Sequence, residues 1–119
     1  MAHNQRLGAR GEELVARYLA DLGCTVLDRN WRCRAGELDL VVLDGTVVAG
    51  VEVKTRTGIG YGHPAEAVRG DKLRRLHVLV RQWCREHGMR SDAGRVDVAA
   101  VLVEPDGRHR IDYYRAVAP

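Results

Sequence analysis

The chain has 119 residues, 45% of them hydrophobic and 29% charged, the make-up of a globular domain rather than a disordered or fibrous chain. No apolar run approaches the roughly 20 residues of a membrane span, and the opening MAHNQRLGARGEE lacks the apolar stretch of a secretory signal. A net charge of +3 is compatible with a polyanionic partner and does not by itself establish one.

Cys24, Cys33 and Cys84 form an odd set without C-x-x-C spacing. That argues for reduced thiols and against a zinc site or disulfide framework, so the cytoplasm is the expected compartment. One domain spanning residues 1–119 is expected, because no linker, repeat or low-complexity tract interrupts the chain.

A first helix is predicted from about Asn4, its capping residue, to Leu22. Leu7, Gly11, Leu14, Val15, Tyr18, Leu19 and Leu22 form its apolar stripe, and Gly23 ends it. On a helical wheel Glu12 borders that stripe while Glu13 points away, so Glu12 can reach the edge of a sheet and Glu13 is surface. Gly8 and Gly11 each cost roughly 1 kcal/mol inside a helix, which suits a close approach of another group or a frayed first turn.

A strand follows at about Thr25–Trp31, then a hairpin of Glu37–Leu43 and Thr46–Arg56 around an Asp44-Gly45 turn. Gly58–Pro64 reads as a glycine-rich loop, with a short helical turn at Ala65–Arg69. A second helix, Asp71–His87, carries the stripe Leu73, Leu76, Leu79, Val80, Trp83. Strands at Val96–Val103 and His109–Tyr114 close the chain. The order α-β-β-β-α-β-β describes an α/β protein with a mixed central sheet and flanking helices. Neither common glycine-rich phosphate loop is present, which counts against a nucleotide-cofactor fold.

With Asp44-Gly45 as a two-residue turn, Leu43 faces Thr46, Val42 faces Val47 and Asp39 faces Gly50. One face then holds Leu38, Leu40, Val42, Val47, Ala49, Val51 and Val53, which a helix must cover. The other holds Glu37, Asp39, Val41, Val48, Gly50, Glu52, Lys54 and Arg56. Asp39 and Glu52 are diagonal neighbours there, ~7–8 Å apart at the backbone, with Gly50 leaving room for Asp39.

Crowded carboxylates repel, and an all-oxygen donor set of this kind suits Mg²⁺ or Mn²⁺ better than zinc. The other reading is an ordinary ion pair between Lys54 and Asp39 or Glu52 on a solvated face, and spacing does not choose between them. Lys72 falls on the apolar side of the second helix. A lysine there ordinarily snorkels to water, and the sharper alternative points it at a bound phosphate. Arg69, Lys72, Arg74, Arg75, Arg81 and Arg85 crowd one segment, and Arg29, Arg32 and Arg34 another: solvated surface taken singly, a phosphate-contacting face taken together. His63 and His77 have no nucleophile partner in view and receive no catalytic role.

The blocks Gly8-x-x-x-Glu12, Gly36-Glu37-Leu38-Asp39-Leu40-Val41 and Val51-Glu52-Val53-Lys54-Thr55-Arg56, continued by Ala67-Val68, Lys72 and Arg95-Val96-Asp97-Val98, resemble the YraN-like family of small bacterial proteins. That family is similar in turn to archaeal Holliday-junction resolvases and the PD-(D/E)-x-K nucleases. The resemblance implies a restriction-endonuclease-like fold, with Asp39 matching the metal-binding aspartate, Glu52 and Lys54 the E-x-K, and Glu12 the helical glutamate of the resolvases. Leu38 stands where the superfamily motif has proline.

The expected function is therefore a Mg²⁺- or Mn²⁺-dependent nuclease acting on nucleic acid, with DNA the favoured form. Asp39, Glu52 and Glu12 would hold metal, and Lys54 would activate water. Arg56, Lys72, Arg75 and Tyr61 would contact the nucleic acid. A homodimer is expected on the ground that two strands need two sites. The rival expectations are a non-catalytic nucleic-acid-binding module and a protein-interaction or assembly factor.

Overall fold

The computed structural model describes residues 3–58, 70–90, 92 and 94–118. Helix α1 (His3–Asp21) is followed by β1 (Thr25–Cys33), β2 (Gly36–Asp44) and β3 (Val47–Thr57), then α2 (Gly70–Glu86), β4 (Arg95–Val103) and β5 (His109–Tyr114). This is the expected element order, with each boundary within about two residues of its sequence reading. The side chain of Asn4, the loop residues Tyr61 and His63 and the turn at 65–69 lie outside the described residues.

The five strands form one sheet in the order β1-β2-β3-β4-β5. All neighbours are antiparallel except β3 and β4, which run parallel across the connection that carries α2. α1 packs on one face, where Val15, Ala16 and Leu19 meet Leu40, Val42, Ala49, Val51, Ala99 and Val101. α2 packs on the other, where Leu73, Leu76, Leu79, Val80 and Trp83 meet Leu38, Val41, Val48, Val96 and Val98. A strand covered on both faces must be apolar on both, which is why β4 reads as a nearly continuous apolar run.

Four details of the hairpin and first helix differ from the sequence reading. The turn is Gly45-Thr46, closed by Asp44 opposite Val47, rather than Asp44-Gly45. Gly45 at the first loop position takes a left-handed φ of 63°, so the one residue without a steric penalty sits where the turn needs it. The register therefore places Val42 opposite Ala49, Val41 opposite Gly50 and Leu40 opposite Val51. Both strands slip by one, and Asp39 and Glu52, which lie beyond the paired residues, line the same cleft.

Gly50 does not make room for Asp39. A Cβ there would lie 2.4 Å from Val80 Cγ2, so its missing side chain admits α2. Leu38 belongs to the α2-side core, not to the face of Leu40. The alternation breaks between them, opposite Asn30 on β1, which lies between the pairs Arg29–Leu40 and Trp31–Leu38 and has a left-handed φ of 50°; the β1–β2 register itself shifts earlier, between Val26 and Asp28. On α1, Tyr18 and Leu22 are exposed, and Ala16 takes the buried place their spacing had suggested for them.

Candidate functional site

The β2–β3 ladder runs from Asp44–Val47 to Leu40–Val51, and Asp39 lies just beyond it, at the end of the hairpin remote from the turn. There the Asp39 carboxylate accepts a 2.8 Å hydrogen bond from the Val53 backbone N–H. The side chain thus stands in for a ladder carbonyl and is held by the strand that carries Glu52.

Two clefts meet at Asp39. One, of about 220 Å³, is lined by Gly36, Glu37, Asp39 and Glu52 from the sheet and Lys72, Arg75, Leu76 and Leu79 from α2. The other runs to α1, where Gly8, Ala9 and Glu12 face Asn30, Arg32, Glu37 and Asp39. Asp39 and Glu37 border both, so the acids of strand and helix open onto one continuous groove.

Glu12 reaches this groove because α1 lies very close to β3 one residue earlier. A Cβ on Gly11 would sit 1.8 Å from Thr55 Oγ1, so only glycine permits the approach. Gly8 has nothing within 4 Å of such a Cβ and owes its presence to no contact of this kind. Glu13 points away as expected, bonded to Arg17 at 3.2 Å and Arg29 at 2.6 Å on the surface.

The charges in the groove are uneven. Burial and then the neighbouring Glu52 charge push the Asp39 carboxyl up to about 7, with Glu12 and Glu37 adding to the rise. Burial, then Glu37 and Glu52, likewise raise Glu12. Glu52 is only 8% exposed and is compensated: its Oε1 meets Lys72 Nζ at 3.2 Å and Lys54 Nζ at 3.5 Å. Burial and the adjacent Lys72 amine lower the pKa of Lys54. Lys72 is pulled down by burial too, but its bonds to Lys54 and Glu52 outweigh that and leave it raised.

The structure thus lines the two adjoining clefts with Asp39, Glu52 and Glu12 and adds Lys72 and Arg75 from α2, while Lys54 lines neither and joins the site through Glu52 at 3.5 Å. Lys72 turns inward to Glu52 instead of snorkelling to water. Its place on the apolar side of the helix was the signal, and the default expectation for lysine obscured it. Arg56 lies two residues past Lys54 on β3, half-buried and outside the cleft lining. Tyr61 lies outside the described residues. Sequence reasoning passed over Asn30, which lines the α1 side of the groove beside Arg32 of the basic group at 29–34; Arg32 also pairs with Glu37 at 3.1 Å.

Asp97, which carries part of the family resemblance, is not in this groove. It is fully buried and accepts hydrogen bonds from Arg95 at 3.0 Å, Tyr113 Oη at 2.6 Å and the Ala116 N–H at 2.9 Å. Arg95 continues to Asp44 at 2.8 Å, so this network ties the start of β4 to the β2–β3 turn and to the chain after β5.

Among the described residues, no group of three or more His, Cys, Asp or Glu side chains is placed to hold a metal ion. No helix among them is long and apolar enough to cross a membrane.

Fold and groove together define a class: an α/β protein whose mixed sheet carries one helix on each face and an acid–lysine cleft at the open end of its central hairpin. The chain belongs to the uncharacterised protein family UPF0102, which matches residues 11–101, in agreement with the YraN-like resemblance of its motifs. A UPF0102 protein of Arthrobacter sp. (strain FB24) is 52% identical over 111 residues, covering 93% of this chain and 94% of that protein. One of Rhodococcus jostii (strain RHA1) is 47% identical over 115 residues, covering 97% and 98%.

Two solved structures are similar in outline. Hjc of Archaeoglobus fulgidus, described as a Holliday junction resolvase, has a TM-score of 0.45 and 18% identity, over 88% of this chain and 75% of that one. SfsA of Pyrococcus furiosus, solved in complex with Ca²⁺, has a TM-score of 0.45 and 13% identity, over 98% and 65%.

Proposed function

We propose that the chain is a metal-dependent nuclease that hydrolyses phosphodiesters in nucleic acid, DNA being the favoured substrate, at the groove around Asp39 and Glu52. The observation that carries this reading is that Asp39 and Glu52 line one cleft with Lys72, Glu12 lines the adjoining cleft with Asp39, and Lys54 pairs with Glu52, two of those acids having raised pKa values. A surface ion pair needs no third carboxylate pressed against the first two.

The donor set fits a hard cation. Mg²⁺ is commonly held by one or two carboxylates, with water and substrate phosphate completing its shell, so a closed protein cluster is not required. Asp39 and Glu52 would hold it, with Glu12 assisting directly or through water. A bound Mg²⁺ or Mn²⁺ supplies Lewis-acid polarisation of the phosphate and a lowered pKa for water.

The protein's own groups do the rest. Lys54 orients the attacking water and offsets the negative charge that grows on the phosphoryl oxygens. The water gives up one proton to solvent as its oxygen bonds to phosphorus, the phosphorus–bridging-oxygen bond breaks, and the departing oxygen takes up a proton from solvent. Lys72, Arg75 and Arg56 hold the backbone phosphates beside the cleft.

The test is a panel of branched, duplex and single-stranded DNA and RNA with Mg²⁺ or Mn²⁺. Wild type should cleave at least one substrate, and Asp39→Ala, Glu52→Ala and Lys54→Ala should each lose roughly 100-fold or more. Cleavage at wild-type rate in all three variants would remove the assignment.

A second reading is a non-catalytic nucleic-acid-binding module. The engagement of Glu52 by two lysines favours it, since internal cations already satisfy that acid. Salt-sensitive binding with no metal-dependent product identifies this case. Absence of nucleic-acid binding even at low salt would point instead to a protein-assembly role.

A further inference from the structure

Glu52 is buried, so it needs a counter-charge, yet it has two: the Lys54 and Lys72 ammonium groups share its Oε1 at 3.5 Å and 3.2 Å. Two like charges on one oxygen repel each other, and the two lysines are tethered differently. Lys54 projects from within β3, on a strand paired to β4 at Ala100. Lys72 stands in the first turn of α2, beside Arg75 on the cleft wall, and its side chain is 42% exposed against 30% for Lys54. Rotation about its side-chain bonds alone can carry its ammonium from Glu52 to the mouth of the cleft, with no movement of the backbone.

We propose that Lys72 is a displaceable internal cation, which neutralises Glu52 in the metal-free protein, yields that carboxylate to a divalent ion, and turns to the substrate phosphodiester. The inference rests on the metal-dependent reading of the cleft. A divalent charge between Asp39 and Glu52 satisfies both acids and repels an ammonium held on the same oxygen. An incoming phosphodiester offers that ammonium a new anionic partner at the cleft mouth. Lys72 thus neutralises Glu52 together with Lys54 before loading, and becomes a substrate-positioning group after it.

Mn²⁺ is titrated calorimetrically into metal-free wild type, Lys72→Met, Lys72→Arg and Arg81→Met. Lys72→Met is expected to bind Mn²⁺ roughly tenfold tighter than wild type, because the competing charge is gone. Lys72→Arg keeps a cation and is expected to bind no tighter than wild type. Arg81, with His77 and Val78 on the outer side of α2, controls for the loss of one positive charge and is expected to leave the affinity unchanged. With Ca²⁺ present, Lys72→Met is expected to bind duplex DNA about tenfold more weakly.

Mn²⁺ binding by Lys72→Met that equals or falls below wild type overturns displacement while leaving the metal site standing. Unchanged DNA affinity overturns the positioning role. No Mn²⁺ binding by any of the four proteins overturns this inference and the metal-dependent function together.

Discussion

The Asp39 carboxylate is fixed by the backbone of the neighbouring strand, accepting the Val53 N–H at 2.8 Å at the point where the β2–β3 ladder stops. That bond favours the charged carboxylate, yet burial and the Glu52 charge raise the group to about 7 from an ordinary 3.8. The acid is held in place by one strand where its charged form is disfavoured, an arrangement that costs stability above that pH and is characteristic of functional sites.

A pH dependence follows. The folded-state pKa of Asp39 lies above the unfolded value, so the folded protein binds this proton more tightly. Its contribution is most favourable below about pH 4 and is lost as pH rises from about 4 to 7. Asp39→Asn keeps an acceptor for Val53 and removes the charge. In EDTA at pH 8 it should stabilise the protein by about 1–3 kcal/mol in urea unfolding, and at pH 4 by much less. Parallel pH–stability curves for the two proteins would contradict this.

Asp97 should behave in the opposite way. It is fully buried, and Arg95, Tyr113 and the Ala116 N–H all bond to it. Asp97→Ala leaves Arg95 short of a partner in the interior and should cost about 3–5 kcal/mol. Tyr113→Phe, losing one hydrogen bond, should cost about 1–3 kcal/mol. Thermal unfolding distinguishes the two, and a loss at Asp97 smaller than at Tyr113 would be inconsistent with this network.

The two helical glycines separate cleanly. Gly8→Ala meets nothing and should stabilise α1 by about 0.5–1 kcal/mol. Gly11→Ala forces its methyl group onto Thr55 and should cost about 1–3 kcal/mol while shifting Glu12 from the groove. Thr55 Oγ1 is buried and has no hydrogen-bond partner among the described residues, so Thr55→Val should stabilise by about 1 kcal/mol. Melting temperatures of the three variants test the contact directly.

Two neighbouring arginines of α2 should differ in nucleic-acid binding. Arg75 lines the cleft, whereas Arg74 is exposed and paired with Asp71 at 2.6 Å. Arg75→Ala should weaken binding and lower the magnitude of the salt slope by about 1, with Arg74→Ala nearly silent. Equal effects at both positions would show that binding follows total charge and not the groove.

Much of this molecule was legible in the chain. Periodicity marked both helices and all five strands, because a helix or strand must bury one stripe or face and writes that period into its residues. Alternation also grouped Asp39, Glu52 and Lys54, and in the structure Asp39 and Glu52 line one cleft while Lys54 pairs with Glu52. What alternation missed was the irregular step at Asn30 and Asp39, which sends Leu38 and Leu40 to opposite cores.

The sequence by itself determined the elements, their order and the grouping of the acids and lysine, since these follow from local periods of two and 3.6 residues. Only the tertiary structure decided what covers each face, why Gly50 and Gly11 have no side chain, and that Lys72 comes inward to Glu52. Those facts depend on where α1 and α2 dock, and docking joins residues far apart in the chain through shape and charge that no local period records.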